Sequence, residues 1–103
     1  MTRVDKIKLV QLAYKAAGYN FRLHPSGVID QETFKAVIQR RNSLLDRDFA
    51  NLLILAHMNL GLNTNLVADG TAGEELYKAE DSFLALYDQP EPDECYRSVF
   101  SWF

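Results

Sequence analysis

The feature that most constrains this chain is an ungapped internal match at an offset of 43 residues, the distance from Gly18 to Gly61. At that shift Asp5 meets Asp48, Leu9 meets Leu52, Leu12 meets Leu55, Ala13 meets Ala56, Gly18 meets Gly61 and Asn20 meets Asn63. Further along, Leu23 meets Leu66, Gly27 meets Gly70, Glu32 meets Glu75, Lys35 meets Lys78 and Ala36 meets Ala79. Ordinary residue usage would give about two or three coincidences over such a window. A chain of 103 residues built this way is expected to be one domain of two similar units, repeat one over 4–45 and repeat two over 47–88, followed by a C-terminal helix over 92–103.

Each unit reads as helix, turn-rich loop, helix, so the expected fold is all-α: two helix-loop-helix repeats in a small bundle. The first helix has Asp5 as an N-cap or first-turn acid, Leu9, Leu12, Ala13 and Ala16 at helical spacing, and Gly18 as its stop. The third repeats the plan with Asp48, then Phe49, Leu52, Leu53, Ala56 and Leu60 on one face, then Gly61. The second helix is predicted to start at Asp30, capping Glu32 or Thr33, and to bury Phe34, Val37, Ile38 and Leu45. The fourth is predicted to start near Gly73, with Thr71 and Glu74 as a capping box, and to bury Leu76, Tyr77, Phe83, Leu84 and Tyr87. Two prolines in DQPEPDE end that helix, and Tyr96, Val99, Phe100 and Phe103 then fall at i, i+3, i+4 and i+7.

Composition narrows the function classes. With 48% hydrophobic and 24% charged residues the chain resembles ordinary globular proteins rather than disordered ones. A net charge of −3 lacks the basic excess of a general nucleic-acid binder, so no nucleic-acid partner is expected. The N-terminus has no apolar signal region and no apolar run suits a membrane span, which points to a cytoplasmic location without a membrane partner. The single Cys95 cannot form an internal disulfide.

Catalytic and metal chemistry find no constellation. His24, His57 and Cys95 are scattered without zinc spacing, and no Gly-rich phosphate loop appears. His57 reads as an interfacial or core-edge histidine and His24 as a solvent-exposed turn residue. The acids that could serve a glycosidase, Asp30 with Glu32 or Asp69 with Glu74 and Glu75, lie at helix starts, where capping explains them. A calcium loop would need oxygen ligands where repeat one has Arg22, His24, Ser26 and Thr33, and repeat two has Asn65, Val67, Asp69 and Leu76. No metal, cofactor or catalytic residue is assigned.

The residues left for binding are few. Arg40 and Arg41, with Lys35 about a turn earlier, form a small basic patch that either complements a helix C-terminus or docks an acidic partner. Trp102, next to Phe103 and off the aromatic stripe, is of the type enriched at interaction hot spots. These point to a non-catalytic protein-interaction module with a protein partner, an adaptor or inhibitor of the kind small bacterial or phage proteins provide.

The repeat also resembles the bacterial peptidoglycan-binding domain family. Repeat one supplies Gly18, Tyr19, Gly27, Thr33, Ala36 and Val37 of the family pattern; repeat two supplies Leu60, Gly61, Asp69, Gly70, Gly73, Ala79 and Phe83. It departs at Ser26, Asp30 and Leu76, and at Arg40, which takes the place of a buried Phe. An unpaired guanidinium is costly to bury, so either that face opens to solvent or repeat one packs differently. The resemblance implies a cell-wall-binding module whose loop residues Asn20, Asn63 and Asp69 contact glycan or peptide stem. A small hydrolase acting on cell wall is the minor alternative.

Overall fold

The computed structural model describes residues 2–44, 46–62, 65–71 and 73–88. Leu45, the predicted C-terminal helix 92–103 and the candidate residues Asn63, Trp102 and Phe103 lie outside them. The described chain forms α1 (Arg3–Ala16), α2 (Gln31–Arg41), α3 (Arg47–Leu60) and α4 (Glu74–Leu84), the last passing into a 3-10 turn at Ala85–Asp88. The architecture is all-helical, two helix-loop-helix units making a small bundle, with no strand among the described residues.

The helix ends follow side-chain chemistry. Thr2 caps α1, its hydroxyl accepting from the Asp5 N–H at 3.2 Å while the Asp5 carboxylate accepts from the Thr2 N–H at 3.4 Å. Asp5 is therefore the first-turn acid of a capping box. Asp30 caps α2 at the Thr33 N–H, 3.0 Å away, and the Thr33 hydroxyl accepts in return from the Asp30 N–H. On α3 the cap is Asp46, which accepts from Asp48 N–H at 2.9 Å, leaving Asp48 in the first turn. Helix α4 starts at Gly73 without a side-chain cap, and the predicted Thr71–Glu74 box does not form. Thr71 instead donates its hydroxyl to Asp69 Oδ1 at 2.6 Å, closing a local turn in the loop.

Helices α1 and α3 share the most extensive helix interface. Val10, Tyr14, Leu23, Ala36, Val37, Leu53 and Phe83 have no exposed surface and form the centre of the main core. A smaller cluster of Ile54, Leu66, Leu76 and Ala79 fills the second unit. Tyr14 and His57, which occupy equivalent positions at the 43-residue offset, meet edge to face with centroids 5.9 Å apart. Equivalent residues touching each other mark an approximate two-fold relation between the units, the arrangement of an isologous interface within one chain.

The buried faces are rotated from those the spacing predicts. Leu9, Leu12, Phe49 and Leu52 are 38, 47, 37 and 40% exposed, and Ile38, Tyr77 and Tyr87 lie at the surface as well. Ala13, Leu53 and Leu60 are buried as expected, and they are joined by Ile7, Val10, Gln11 and Tyr14 of α1 and Ala50, Ile54 and His57 of α3. Each helix carries apolar residues around more of its circumference than one interface covers, so periodicity alone could not choose which part turns inward. The polar residues taken inside, Gln11, Thr33, Arg40, His57 and Glu80, are the ones a hydrophobicity reading leaves out.

Candidate functional site

Three arrangements of side chains stand out, and two of them hold the fold together. The first is a buried ionic cluster joining the repeats. Arg40, 2% exposed, donates from Nε to Glu80 Oε2 at 2.9 Å and from Nη2 to Glu80 Oε1. Tyr14 donates its hydroxyl to Glu80 Oε2 at 2.5 Å. Arg41 donates to Glu80 Oε1 at 3.0 Å, to the Tyr77 carbonyl at 3.1 Å and to Asp81 Oδ1 at 2.8 Å. The Tyr77 ring covers both guanidinium groups, with centroid distances of 4.7 and 4.8 Å.

The electrostatics agree with that geometry. Burial, then the Glu80 carboxylate, push the Tyr14 phenol well above its ordinary range, so it donates at every physiological pH. Burial works against the charge on Arg40, and Glu80 more than offsets it, holding the guanidinium above its usual value. Arg41 behaves alike, with Asp81 adding to Glu80. The predicted basic patch is thereby corrected. Arg40 is buried and paired with Glu80 inside the protein rather than presented to a partner, and Arg41, half-buried, is tied to α4. The cost of burying Arg40 is met by a carboxylate that the peptidoglycan-binding pattern does not include.

The second arrangement is a clamp on the first loop. Gln11, fully buried, donates to the Val28 carbonyl at 2.9 Å and to the Thr33 hydroxyl at 3.1 Å, while its Oε1 accepts from Gly27 N–H at 2.9 Å. Gly27 sits at φ +83°, and a Cβ there would run into the Val4 side chain, so this turn requires glycine. Repeat two has Ile54 where repeat one has Gln11, and the cleft around Ile54, Leu66, Val67 and Leu76 encloses about 290 Å³.

Of the loop residues predicted to meet a wall ligand, Asn20 and Asp69 are engaged by neighbouring groups of the chain. Asn20, at φ 47°, donates its amide to the Glu32 carbonyl at 2.7 Å and to Glu32 Oε2 at 2.8 Å. The second bond holds the Glu32 carboxyl below its usual range. Exposed Asp69 accepts from the Thr71 hydroxyl and N–H, at 2.6 and 3.0 Å, and its carboxyl is likewise lowered by that hydroxyl. The structure does not bring Asn20 and Asp69 together with the arginines into one site: each serves its own loop or helix contact.

His57 is 2% exposed, a core residue rather than one at the edge. Its Nδ1 lies 2.8 Å from the Leu53 carbonyl and so carries the proton, leaving buried Nε2 without a hydrogen-bond partner among the described residues. Burial pushes its pKa below the usual value, with the Leu53 bond opposing only in part. The ring lies edge-on to Tyr14 and Phe83, which explains how a polar residue occupies the two-fold contact.

The third arrangement is on the surface. Leu9, Leu12, Ala13 and Ala16 of α1 and Leu52, Leu55, Ala56 and Asn59 of α3 line an open groove of about 360 Å³. Each α1 residue has its α3 counterpart at the 43-residue offset in the opposite wall. Leu12 and Leu55 are 47 and 53% exposed, and among the described residues only α1 and α3 line the groove. This is the surface the sequence reading placed inside. Leu9/Leu52, Leu12/Leu55 and Ala13/Ala56 are identical pairs and Ala16/Asn59 differs, but the buried pairs Leu23/Leu66 and Ala36/Ala79 are identical too, so the repeat comparison marks the groove residues without saying that they face outward.

Among the described residues no group of acidic, His or Cys side chains could hold a metal ion, and no helix is long and apolar enough to cross a membrane. No protein-family model, curated protein or solved structure matches the chain.

Proposed function

We propose that the protein is a non-catalytic protein-interaction module, an adaptor or inhibitor, that receives an apolar helix in the groove between α1 and α3. The observation that carries this reading is the pairing of identical leucines across that groove, Leu9 with Leu52 and Leu12 with Leu55, all of them 38–53% exposed. A groove lined from two helices mostly by leucines and alanines suits a helix laid in it, a mode in which residues at i, i+3, i+4 and i+7 of the guest fill the cleft. Asp30 is engaged as a helix cap, Asp69 in a loop turn, Glu32 with Asn20 and Lys35, and Glu74 and Glu75 with Lys78, which favours binding over catalysis.

The test is affinity capture from a lysate with wild-type protein, a Leu12→Asn/Leu55→Asn variant and a Trp102→Ala/Phe103→Ala variant. Partners retained by the wild type and lost from the groove variant support the reading. An identical set of proteins on wild type and groove variant overturns it.

The peptidoglycan-binding reading draws its support from the loop glycines, Gly27 and Gly70, which hold equivalent turns at φ +83° and +79° as the family resemblance implies. Wall-binding predicts that purified sacculi pellet the protein; full recovery in the supernatant argues against it.

A further inference from the structure

Among the described residues, buried Gln11 and Thr33 serve the loop clamp and buried Arg40 and Glu80 serve the ionic cluster, which leaves His57 as a buried polar side chain in neither. It sits where the repeats meet. Its ring lies edge to face with Tyr14, and Ala13 and Ala56, the residues immediately before the two rings, line the α1/α3 groove. We propose that His57 is a proton-operated latch on that groove: neutral, it keeps α1 against α3; protonated, it moves the two walls apart and releases a bound helix. The inference rests on the reading of the groove as a helix-binding surface.

The surroundings of the ring make it a latch. Nδ1 already donates to the Leu53 carbonyl, so a second proton must go to Nε2, which is buried and has no hydrogen-bond partner among the described residues. From α1, Tyr14 turns its hydroxyl to Glu80; from α2, Arg40 brings a positive charge. From α4, Glu80 has its oxygens taken by Tyr14, Arg40 and Arg41, and Phe83 offers only a ring. An imidazolium there would be desolvated with no unused anion to receive its new N–H. Water becomes the acceptor once α3 shifts off Tyr14, and α3 carries Leu52, Leu55 and Ala56 of the groove wall with it. The sign follows from linkage. Burial holds the closed-state pKa below the ordinary 6.5, so the open state takes up the proton first on acidification. Between about pH 7.5 and about pH 5.5 the open-to-closed ratio then rises by up to about tenfold. The helix is held at neutral pH and released in mild acid.

Lys15 of α1 and Met58 of α3 are exposed and equivalent at the 43-residue offset, so they provide the probe. Full-length protein carrying Cys95→Ser, Lys15→Cys and Met58→Cys takes a nitroxide on each wall, and dipolar EPR reads their separation. The expected result is one short distance at about pH 7.5 and an added longer component at about pH 5.5, with far-UV circular dichroism unchanged. The longer component should be absent from the same protein with His57→Phe or His57→Leu, two neutral replacements. A distance that does not respond to pH, a longer component that persists in both replacements, or one that appears only as helical signal is lost would each overturn the proposal. If the walls stay closed in acid while capture at neutral pH still depends on Leu12 and Leu55, the latch fails and the interaction reading stands. If the walls open but Leu12→Asn/Leu55→Asn loses no partner, the interaction reading fails, and release of a helix fails with it.

Discussion

Glu80 is the residue on which most of the polar interior depends. Its two oxygens receive hydrogen bonds from Tyr14, Arg40 and Arg41, and its side chain has no exposed surface. Glu80→Gln leaves the Arg40 charge buried without its counter-ion, and an uncompensated buried partner costs about 3 to 5 kcal/mol. Urea unfolding should show that loss, whereas Lys78→Gln, which removes only exposed i,i+3 and i,i+4 pairs, should change stability by less than about 1 kcal/mol. A similar loss from both would mean that the buried cluster has no special weight. His57 gives a pH prediction at the same scale. Its folded pKa lies below the ordinary 6.5, so on acidification the unfolded chain takes up the proton first and stability falls as pH drops below about 6.5. The lowered Glu32 and Asp69 act in a lower window, their contribution being lost only as pH falls below the ordinary carboxylate range. Unfolding at about pH 7.5 and about pH 5.5 should therefore show a larger drop for wild type than for His57→Phe, whose ring keeps the contacts with Tyr14 and Phe83. Equal drops would place the sensitivity elsewhere.

At the scale of elements, the sequence made the helix starts and stops legible and left the inward faces ambiguous. Asp30, Gly18 and Gly61 announced their roles because capping and left-handed termination depend on a residue and its immediate neighbours. The orientation of α1 did not follow in the same way. Leu9 and Leu12 are as apolar as Ile7 and Val10, and Gln11, with two hydrogen bonds to the first loop at Gly27 and Val28 and one to Thr33 of α2, ties its own side of the helix inward. Arg40 was read as a surface cation for a related reason: its partner lies 40 residues away on another helix, beyond any local pattern. The groove was visible as matched leucines yet assigned to the core, because identity between repeats does not say whether a position is inside. The clamp makes a direct prediction. Gln11→Ile, which installs the residue repeat two uses at Ile54, removes the partner of the buried Gly27 N–H, and each orphaned buried group costs about 1 to 3 kcal/mol. Melting temperature should fall and the Gly27 amide should lose its exchange protection. Retained protection would show that another group holds the turn.

For the molecule as a whole, the two repeats are held in register by the positions at which they differ. Glu80 stands where repeat one has Val37, and Arg40 stands where repeat two has Phe83, so the ion pair between the units replaces what a symmetric duplication would have made apolar. Reversing the divergence tests whether the pair stabilises the bundle or only specifies it. Arg40→Phe alone strands part of the Glu80 charge, and Glu80→Val alone strands Arg40, so each should cost about 3 to 5 kcal/mol. Combining them with Tyr14→Phe, which removes the hydroxyl that would otherwise lose its acceptor, leaves no buried charge and no orphaned donor at the centre of the cluster; Arg41, partly exposed, keeps Asp81. Replacing a buried ionic cluster by hydrophobic residues of similar volume is commonly neutral or stabilising by about 1 to 4 kcal/mol, so the triple variant should recover at least the stability of the wild type. A thermodynamic cycle over the single, double and triple variants would then return a large coupling between residues 40 and 80, well above the ~0.5 kcal/mol expected of independent sites. Additive losses across the cycle would mean that each side chain acts by its own packing, and the two units would be joined without any special contribution from the 40/80 pair.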